Sequence, residues 1–384
     1  MGEWKEYKLG DLVIGNKGSY GIAASAVDYD INKYTYLRIT DIKDDGTINK
    51  TSLKSVDDIN AKNYILHSND IVFARTGASV GRSYFYEEKD GVLIYAGFLI
   101  KFSIDPQKVN PKLLKYYTHS QPYYDWIQTV DNGATRGNIN AQTYASMPIL
   151  LPERMEQDKI VNILGSLDDK IDLLHRENET LEAMAETLFR KWFIEDAKDN
   201  FEEKPLSSIA KFLNGIACQK YPPKNNLEKL PVLKIRELTN GINSDSDWAT
   251  TDVSPEYIVH SGDIIFSWSA SLMVKIWNGV DCILNQHLFK VTSDNYPKWF
   301  LYLWCKYHLN EFISIAESHA TTMGHIKRSD LDNAFVLIPE QNDLCYMSNI
   351  MGPIFNRFDN NNKEIFSLVK MRDLLLHKLI SSNH

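Results

Sequence analysis

The segment "SNDIVF" at residues 68–73 returns almost unchanged as "SGDIIF" at residues 261–266. The surroundings repeat too, because "YLRITDI" (36–42) resembles "VLKIREL" (232–238). Matched blocks keep their order along the chain, and their offset falls from 196 to 187 residues. A period of this length is too long for a solenoid unit. The sequence therefore predicts one scaffold written twice, with different segments between the matched blocks.

Each copy combines short alternating strands with a few helical stretches, which favours an α+β fold. The first copy reads as strands in "YTYLRITDI" and "VLIYAGFLIKFSI", followed by a helix in "NPKLLKYYTHSQPYYDWIQ". We predict two similar globular domains, each followed by a long helix. Their predicted limits are domain one at 1–151, helix one at 152–198, domain two at 199–338 and helix two at 339–384.

The two long helices carry apolar residues at alternating steps of three and four, which is typical of a coiled coil. Connectivity requires the second helix to run back along the first, giving an antiparallel coiled coil and a pseudo-two-fold axis between the halves. The alternative is two unrelated amphipathic helices, each packed on its own domain. The predicted seam consists of Ile160, Leu164, Leu167, Ile171, Leu174, Asn178, Leu181, Ala185, Leu188 and Trp192, facing Met347, Met351, Ile354, Phe358, Ile365, Leu368, Leu375 and Leu379.

The chain carries a formal net charge of −8, unusual for a nucleic-acid-binding protein. The excess lies in residues 151–203, which hold 7 basic and 15 acidic side chains, whereas both flanking regions are balanced.

No apolar run approaches the ~18 residues of a membrane span. The four cysteines form no CxxC pair, which predicts a reducing cytoplasmic location.

Signatures of catalysis are scarce. The chain has no GxxxxGK[ST], GxGxxG, GxSxG or HExxH motif. His319 and His325 have no cysteine or carboxylate at zinc spacing, so we predict no metal site. Asp70 and Asp263 recur at the start of matched strands, which favours a turn-forming role over a catalytic one. The duplicated architecture therefore favours a binding protein.

Two stretches that differ between the copies are rich in hydrogen-bond donors. Arginine, lysine, asparagine and glutamine suit phosphates and base edges, whereas the alternative is that these are solvated loop residues. The candidates in the first copy are Arg75, Thr76, Ser79, Arg82, Arg136, Asn138, Asn140 and Gln142. Those in the second copy are Trp268, Ser269, Ser271, Lys275, His325, Lys327 and Arg328.

The matched blocks resemble the specificity subunits of Type I restriction-modification enzymes. The resemblance rests on "SNDIVFARTG", "GATRGNI" and the run from "ILLPERMEQDKI" into the long helix, and it covers essentially the whole chain. The second copy departs from the pattern at Leu344, where glutamine is expected.

The resemblance implies two target-recognition domains, each reading half of a bipartite site in double-stranded DNA. It also implies that the helices set the gap and bind two modification subunits, which methylate adenine N6 with S-adenosylmethionine. A restriction subunit would add ATP- and Mg-dependent cleavage, so no cofactor is expected in this chain. Two other classes remain open: an elongated scaffold whose end domains bind protein or glycan, and an enzyme with an unrecognised site.

Overall fold

The computed structural model describes residues 4–131, 138–243, 245–318 and 324–380. The chain divides into two compact units: unit 1 comprises Met1–Lys170 with Val369–His384, and unit 2 comprises Ile171–Leu368. The boundaries fall inside both long helices, so each helix contributes to both units.

Among its described residues, unit 1 contains two four-stranded sheets and one two-stranded sheet, in the orders β2-β9-β6-β7, β3-β5-β4-β8 and β1-β10. Its strands are β1 (Lys5–Lys8), β2 (Ser19–Tyr20), β3 (Ala26–Val27), β4 (Tyr34–Leu37), β5 (Lys54–Val56), β6 (Asp70–Ala74), β7 (Ser83–Phe85), β8 (Leu93–Tyr95), β9 (Leu99–Ser103) and β10 (Pro148–Leu151). Its helices are α1 (Pro111–Tyr117), α2 (Gln121–Asp131), α3 (Ala141–Ala145) and the first part of α4 (Arg154–Arg190).

Unit 2 repeats this plan, with sheets in the orders β12-β19-β16-β17, β14-β13-β18-β15 and β11-β20. Its strands are β11 (Glu202–Pro205), β12 (Lys211–Asn214), β13 (Lys229–Leu233), β14 (Trp248–Thr250), β15 (Ile258–Val259), β16 (Ile264–Ser267), β17 (Met273–Ile276), β18 (Cys282–Leu284), β19 (Leu288–Thr292) and β20 (Phe335–Ile338). Its helices are the second part of α4, α5 (Leu206–Ile209), α6 (Ile235–Asn240), α7 (Lys298–Tyr307), α8 (Leu309–Ser318), α9 (Arg328–Asn333) and most of α10 (Gln341–Ile380).

The repeat extends to strand register. In unit 1 the antiparallel β6–β9 pair aligns Ile71 with Phe102, and in unit 2 the β16–β19 pair aligns Ile264 with Val291. These four positions are the ones that the sequence repeat matches. Alternate residues of β6 and β16 then face a core on each side, which explains why both strands are buried along their whole length.

A shared aspartate fixes the entry to each of these strands. Asp70 accepts hydrogen bonds from His67 N at 2.9 Å and from the Ser103 hydroxyl at 2.5 Å. Asp263 accepts the matching bond from His260 N at 2.8 Å. The predicted turn-forming role of both aspartates is confirmed by these contacts.

The long helices pair antiparallel within each unit. In unit 2, Asn178 of α4 bonds Asn361 and Asn362 of α10, and further along α4 the side chains of Leu181 and Ala185 line a small cavity with Ile354, Phe355 and Phe358. The residue numbers rise on one helix as they fall on the other. The fold class predicted from the sequence is confirmed: two α+β repeats, long helices and an antiparallel pairing.

The same direction is found in unit 1. Arg372 of α10 lies 3.4 Å from the carboxylate of Asp168, and Leu375 packs against the core that contains Leu164. The predicted seam positions lie on the inner side of the helices. Leu164, Ile171, Leu174 and Asn178 are buried, whereas Leu167, Leu181, Leu188, Ile354, Phe358, Leu368 and Leu375 are partly buried.

No helix in the described part of the chain is both long and apolar enough to cross a membrane. Among the same residues, no group of three or more histidine, cysteine or acidic side chains is placed to hold a metal ion. His319 lies outside the described ranges.

Candidate nucleic-acid interface

The structure brings the two donor-rich stretches of each copy together. In unit 1 the first recognition loop (75–82) and the second (136–142) meet at a bridge between Thr76 and Asn138, and Ile139 N donates to Arg75 O at 2.9 Å. In unit 2, loops 268–275 and 325–328 meet at the equivalent bridge between Ser269 and His325. Arg136 lies outside the described residues.

Buried tyrosines hold both ends of the first recognition loop in unit 1. The Tyr144 hydroxyl donates to Ala74 O at 2.9 Å, and the Tyr123 hydroxyl donates to Gly81 O at 2.6 Å. Burial raises the pKa of Tyr123 well above its usual value, so its phenol stays protonated and remains a donor. The loop is therefore fixed to the domain core through main-chain carbonyls, which leaves its sequence free to vary.

Arg75 is held at this surface by two side-chain contacts. Its guanidinium lies over the Tyr20 ring, 4.9 Å from the ring centroid, and its Nε donates to Asn138 Oδ1 at 3.3 Å. The Tyr20 hydroxyl in turn accepts a hydrogen bond from Ala141 N at 3.1 Å. Strand β2, the first loop and the start of α3 thus converge on one polar patch.

The second loop of unit 1 presents exposed amides. Asn138, Asn140 and Gln142 are exposed, although the Asn140 side-chain oxygen already caps α3 by accepting from Thr143 N at 2.9 Å. Lys17 and Tyr20 line an open cleft together with Asn140 and Gln142. These side chains present both donors and acceptors, as base edges require.

Unit 2 builds a different surface on the same frame. The Trp268 ring stacks on Phe289 with 5.6 Å between centroids, and its Nε1 donates to Asn214 Oδ1 at 3.2 Å. His325 is exposed beside it, with 6.4 Å between the ring centroids. His287 lies 3.2 Å from the Ser269 hydroxyl. Lys327 and Arg328, at the start of α9, are exposed.

Several candidates are largely buried or make contacts within their own domain, and their role in contacting DNA stays a prediction. Ser79 and Ser269 are only 8% and 6% exposed, so both residues lie largely inside the domain. The single donor of Trp268 is already used by Asn214. Loops often satisfy their own polar groups, and sequence alone does not show which donors are used internally.

Arg82 and Lys275 occupy matched positions and make the same internal contact. Arg82 donates to Ile42 O at 3.2 Å, and Lys275 donates to Leu238 O at 3.1 Å. The two acceptor residues also match in the sequence repeat. Arg82 is further paired with the carboxylate of Asp44 at 2.6 Å. Both cations therefore join neighbouring segments of their own domain, and their predicted contact with DNA stays a prediction.

The structure also adds residues that the sequence analysis missed. Tyr20 and Phe98 flank Arg75 in unit 1, since Arg75 N donates to Phe98 O at 3.1 Å. Their counterparts in unit 2 are Asn214 and His287. Phe98 and His287 were detectable in principle, because they open the matched blocks "FLIKF" and "HLFKV" with different side chains.

Two copies of one frame that present different polar loops define a protein with two distinct recognition surfaces. The family described as the Type I restriction modification DNA specificity domain matches residues 1–183 and 198–368. The chain belongs to this family. The predicted function, the non-catalytic DNA specificity subunit of a Type I restriction-modification complex, is thereby confirmed, and the scaffold alternative is not favoured.

Relatives with established names agree with this assignment. The Type I restriction enzyme MjaIX specificity subunit of Methanocaldococcus jannaschii is 26% identical over 294 residues, which cover 70% of this chain and 67% of that protein. The HindI specificity subunit of Haemophilus influenzae is 27% identical over 208 residues, or 51% of this chain and 42% of that protein. The crystal structure of a Type I restriction-modification S subunit from M. genitalium shares the fold, with a TM-score of 0.54 and 16% identity over 99% of this chain and 96% of that one.

Proposed function

We propose that this chain recognises a bipartite site in double-stranded DNA, with unit 1 reading one half and unit 2 the other. The observation that carries the proposal is the equivalent loop bridge in each unit, Thr76 to Asn138 and Ser269 to His325. The same backbone contact supports different side chains, so the two surfaces have the same geometry and different chemistry. A protein that reads two different half-sites needs this combination.

The exposed side chains of each surface suit different tasks. In unit 1, Asn138 and Gln142 offer paired donors and acceptors for base edges beside the charged Arg75. In unit 2, Lys327 and Arg328 are exposed cations that suit phosphates, next to the exposed ring of His325. Local cations on these surfaces supply the attraction to DNA that the net charge of the chain does not.

We further propose that the long helices bind two modification subunits and fix the gap between the half-sites. Those subunits carry adenine N6-methylation with S-adenosylmethionine, and a restriction subunit, where one joins the complex, uses ATP and Mg. The acidic excess of residues 151–203 supports a protein partner there, because phosphate repulsion would penalise close contact with DNA.

The proposal is tested by binding of the full chain, purified with its modification subunit, to a library of randomised duplexes over a series of salt concentrations. Selected sequences should share a two-part motif, and affinity should fall steeply with salt because phosphate contacts release counterions. Lys108→Ala is a matched control, since it removes an exposed cation outside both recognition loops. Equal enrichment of all duplexes, or a single continuous motif, would contradict the proposal.

A further inference from the structure

Arg75 differs in its charge environment from the other arginines that the structure describes in unit 1. Arg38, Arg82, Arg154 and Arg372 each pair with a carboxylate, at 2.6, 2.6, 2.9 and 3.4 Å respectively. Within the described part of unit 1, Arg75 forms no such ion pair. Its positive charge is therefore left to an outside partner.

Two contacts hold this guanidinium in place. The Tyr20 ring lies beneath it at 4.9 Å, and Nε is engaged by Asn138 Oδ1 at 3.3 Å. Tyr20 is itself held by Ala141 N and is 43% exposed, so it forms a platform at the surface. A planar cation that lies over a ring and has its Nε occupied keeps its two terminal nitrogens for a partner that lies in the guanidinium plane.

We propose that Arg75 reads a guanine in the half-site that unit 1 contacts, by donating from its two terminal nitrogens to O6 and N7. This inference rests on the proposed function. Guanine presents two acceptors in one plane in the major groove, which matches a fixed guanidinium fork. A phosphate also accepts from an arginine fork, but the exposed amides of Asn138 and Gln142 beside Arg75 offer paired donors and acceptors, which suit a base edge better than a phosphate. Tyr20 acts as a positioning residue.

The position in unit 2 that matches Arg75 does not carry an arginine held over an aromatic ring. Trp268 stands where Arg75 stands, and Asn214 stands where Tyr20 stands. Trp268 has no charge, and its one donor is already given to Asn214 at 3.2 Å. Guanine reading from this position therefore belongs to one half-site only.

The first arm of the test compares variants on randomised duplexes, using the full chain with its modification subunit. Arg75→Ala should remove the preference for guanine at one position of one half-site, a loss of about 5- to 150-fold, and leave the other half-site intact. Arg75→Lys should keep general affinity and weaken the guanine preference, because an ammonium can still reach O6 or N7 but lacks the planar fork. Tyr20→Phe should retain the preference, and Tyr20→Ala should reduce it.

The second arm replaces that guanine with 7-deazaguanine, which lacks the N7 acceptor. The wild-type chain should bind the modified duplex more weakly than the natural one, whereas Arg75→Ala should bind the two equally. Lys108→Ala should keep the wild-type response to the modified base.

Each other outcome overturns the proposal. An equal loss on every sequence would assign Arg75 to phosphate, and an unchanged motif would remove it from recognition. A unit 1 half-site without guanine would refute the inference outright. In all three cases a two-part motif for the wild-type chain would leave the proposed function standing, whereas the absence of any motif would reject that function itself.

Discussion

Replacing Asn178 with alanine is expected to weaken unit 2 where α4 meets α10. Asn178 Nδ2 donates to Asn362 Oδ1 at 2.8 Å, and Asn361 Nδ2 donates to Asn178 Oδ1 at 3.0 Å. All three side chains are buried, at 7%, 0% and 6% exposure. The substitution would leave the Asn361 Nδ2 donor and the Asn362 Oδ1 acceptor buried without this partner, at a cost of ~1–3 kcal/mol each. We therefore expect a loss of about 2–6 kcal/mol in the free energy of unfolding.

Urea denaturation followed by tryptophan fluorescence measures this loss, because only Trp4 and Trp126 of the eight tryptophans lie outside unit 2. At a slope of ~2 kcal/mol per molar urea, the midpoint should fall by roughly 1–3 M. Glu179→Ala is the matched control, as that side chain is exposed on the same helix. A midpoint for Asn178→Ala equal to that of the control would refute the reasoning.

The three asparagines are also expected to select the register of the helix pair. Asn361 Oδ1 and Asn362 Nδ2 are buried and have no protein partner among the described residues, so this polar cluster is costly. Leucine at all three positions should keep or raise stability, because an apolar seam avoids that cost. The triple variant should also accept half-sites at more than one gap length, because buried asparagines specify register in coiled coils. A triple variant that retains one strict gap length would show that register is set elsewhere.

Two further predictions concern unfolding free energies. Gly77 and its twin Ala270 both have positive φ, +72° and +56°, and no atom lies within 4 Å of a Cβ built on Gly77. Gly77→Ala should therefore lower the free energy of unfolding by ~1 kcal/mol, through backbone strain alone. Ala270→Gly should raise it by ~0.5 kcal/mol, because it relieves the same strain. Urea midpoints that move in the same direction for both variants would contradict this expectation. Burial opposes ionisation of Glu87, but pairing with Lys115 outweighs it and lowers the pKa to about 2. The carboxylate therefore stabilises the fold above its unfolded pKa, near 4.5, and this stabilisation disappears as pH falls toward 2. Glu87→Gln should thus destabilise the protein at pH 7 and have no effect near pH 2, so an equal difference at both pH values would argue against the ion pair.

The sequence predicted the framework of the fold in detail. The matched pairs Ile71 with Ile264 and Phe102 with Val291 occupy identical positions in the two ladders. This follows because a strand with both faces buried tolerates no slip in register. The seam of the long helices could also be read, since a heptad pattern depends only on local spacing.

The chemistry of the recognition surfaces was less predictable. Tyr20 reaches Arg75 across 55 positions of sequence, and no local pattern encodes that contact. Ser79 and Ser269 look like exposed residues in the sequence, whereas folding leaves them only 8% and 6% exposed. Donor-rich composition identifies a loop, but only three-dimensional packing decides which donors remain available.

Methylation mapping in cells that produce the chain with its modification subunit tests the central claim most directly. The wild-type chain should direct adenine methylation to a two-part motif with one fixed gap. Arg75→Ala should alter one half of that motif only, and His325→Ala should alter the other half only. The account would be contradicted if both substitutions changed the same half, or if methylated adenines lay in a single continuous motif.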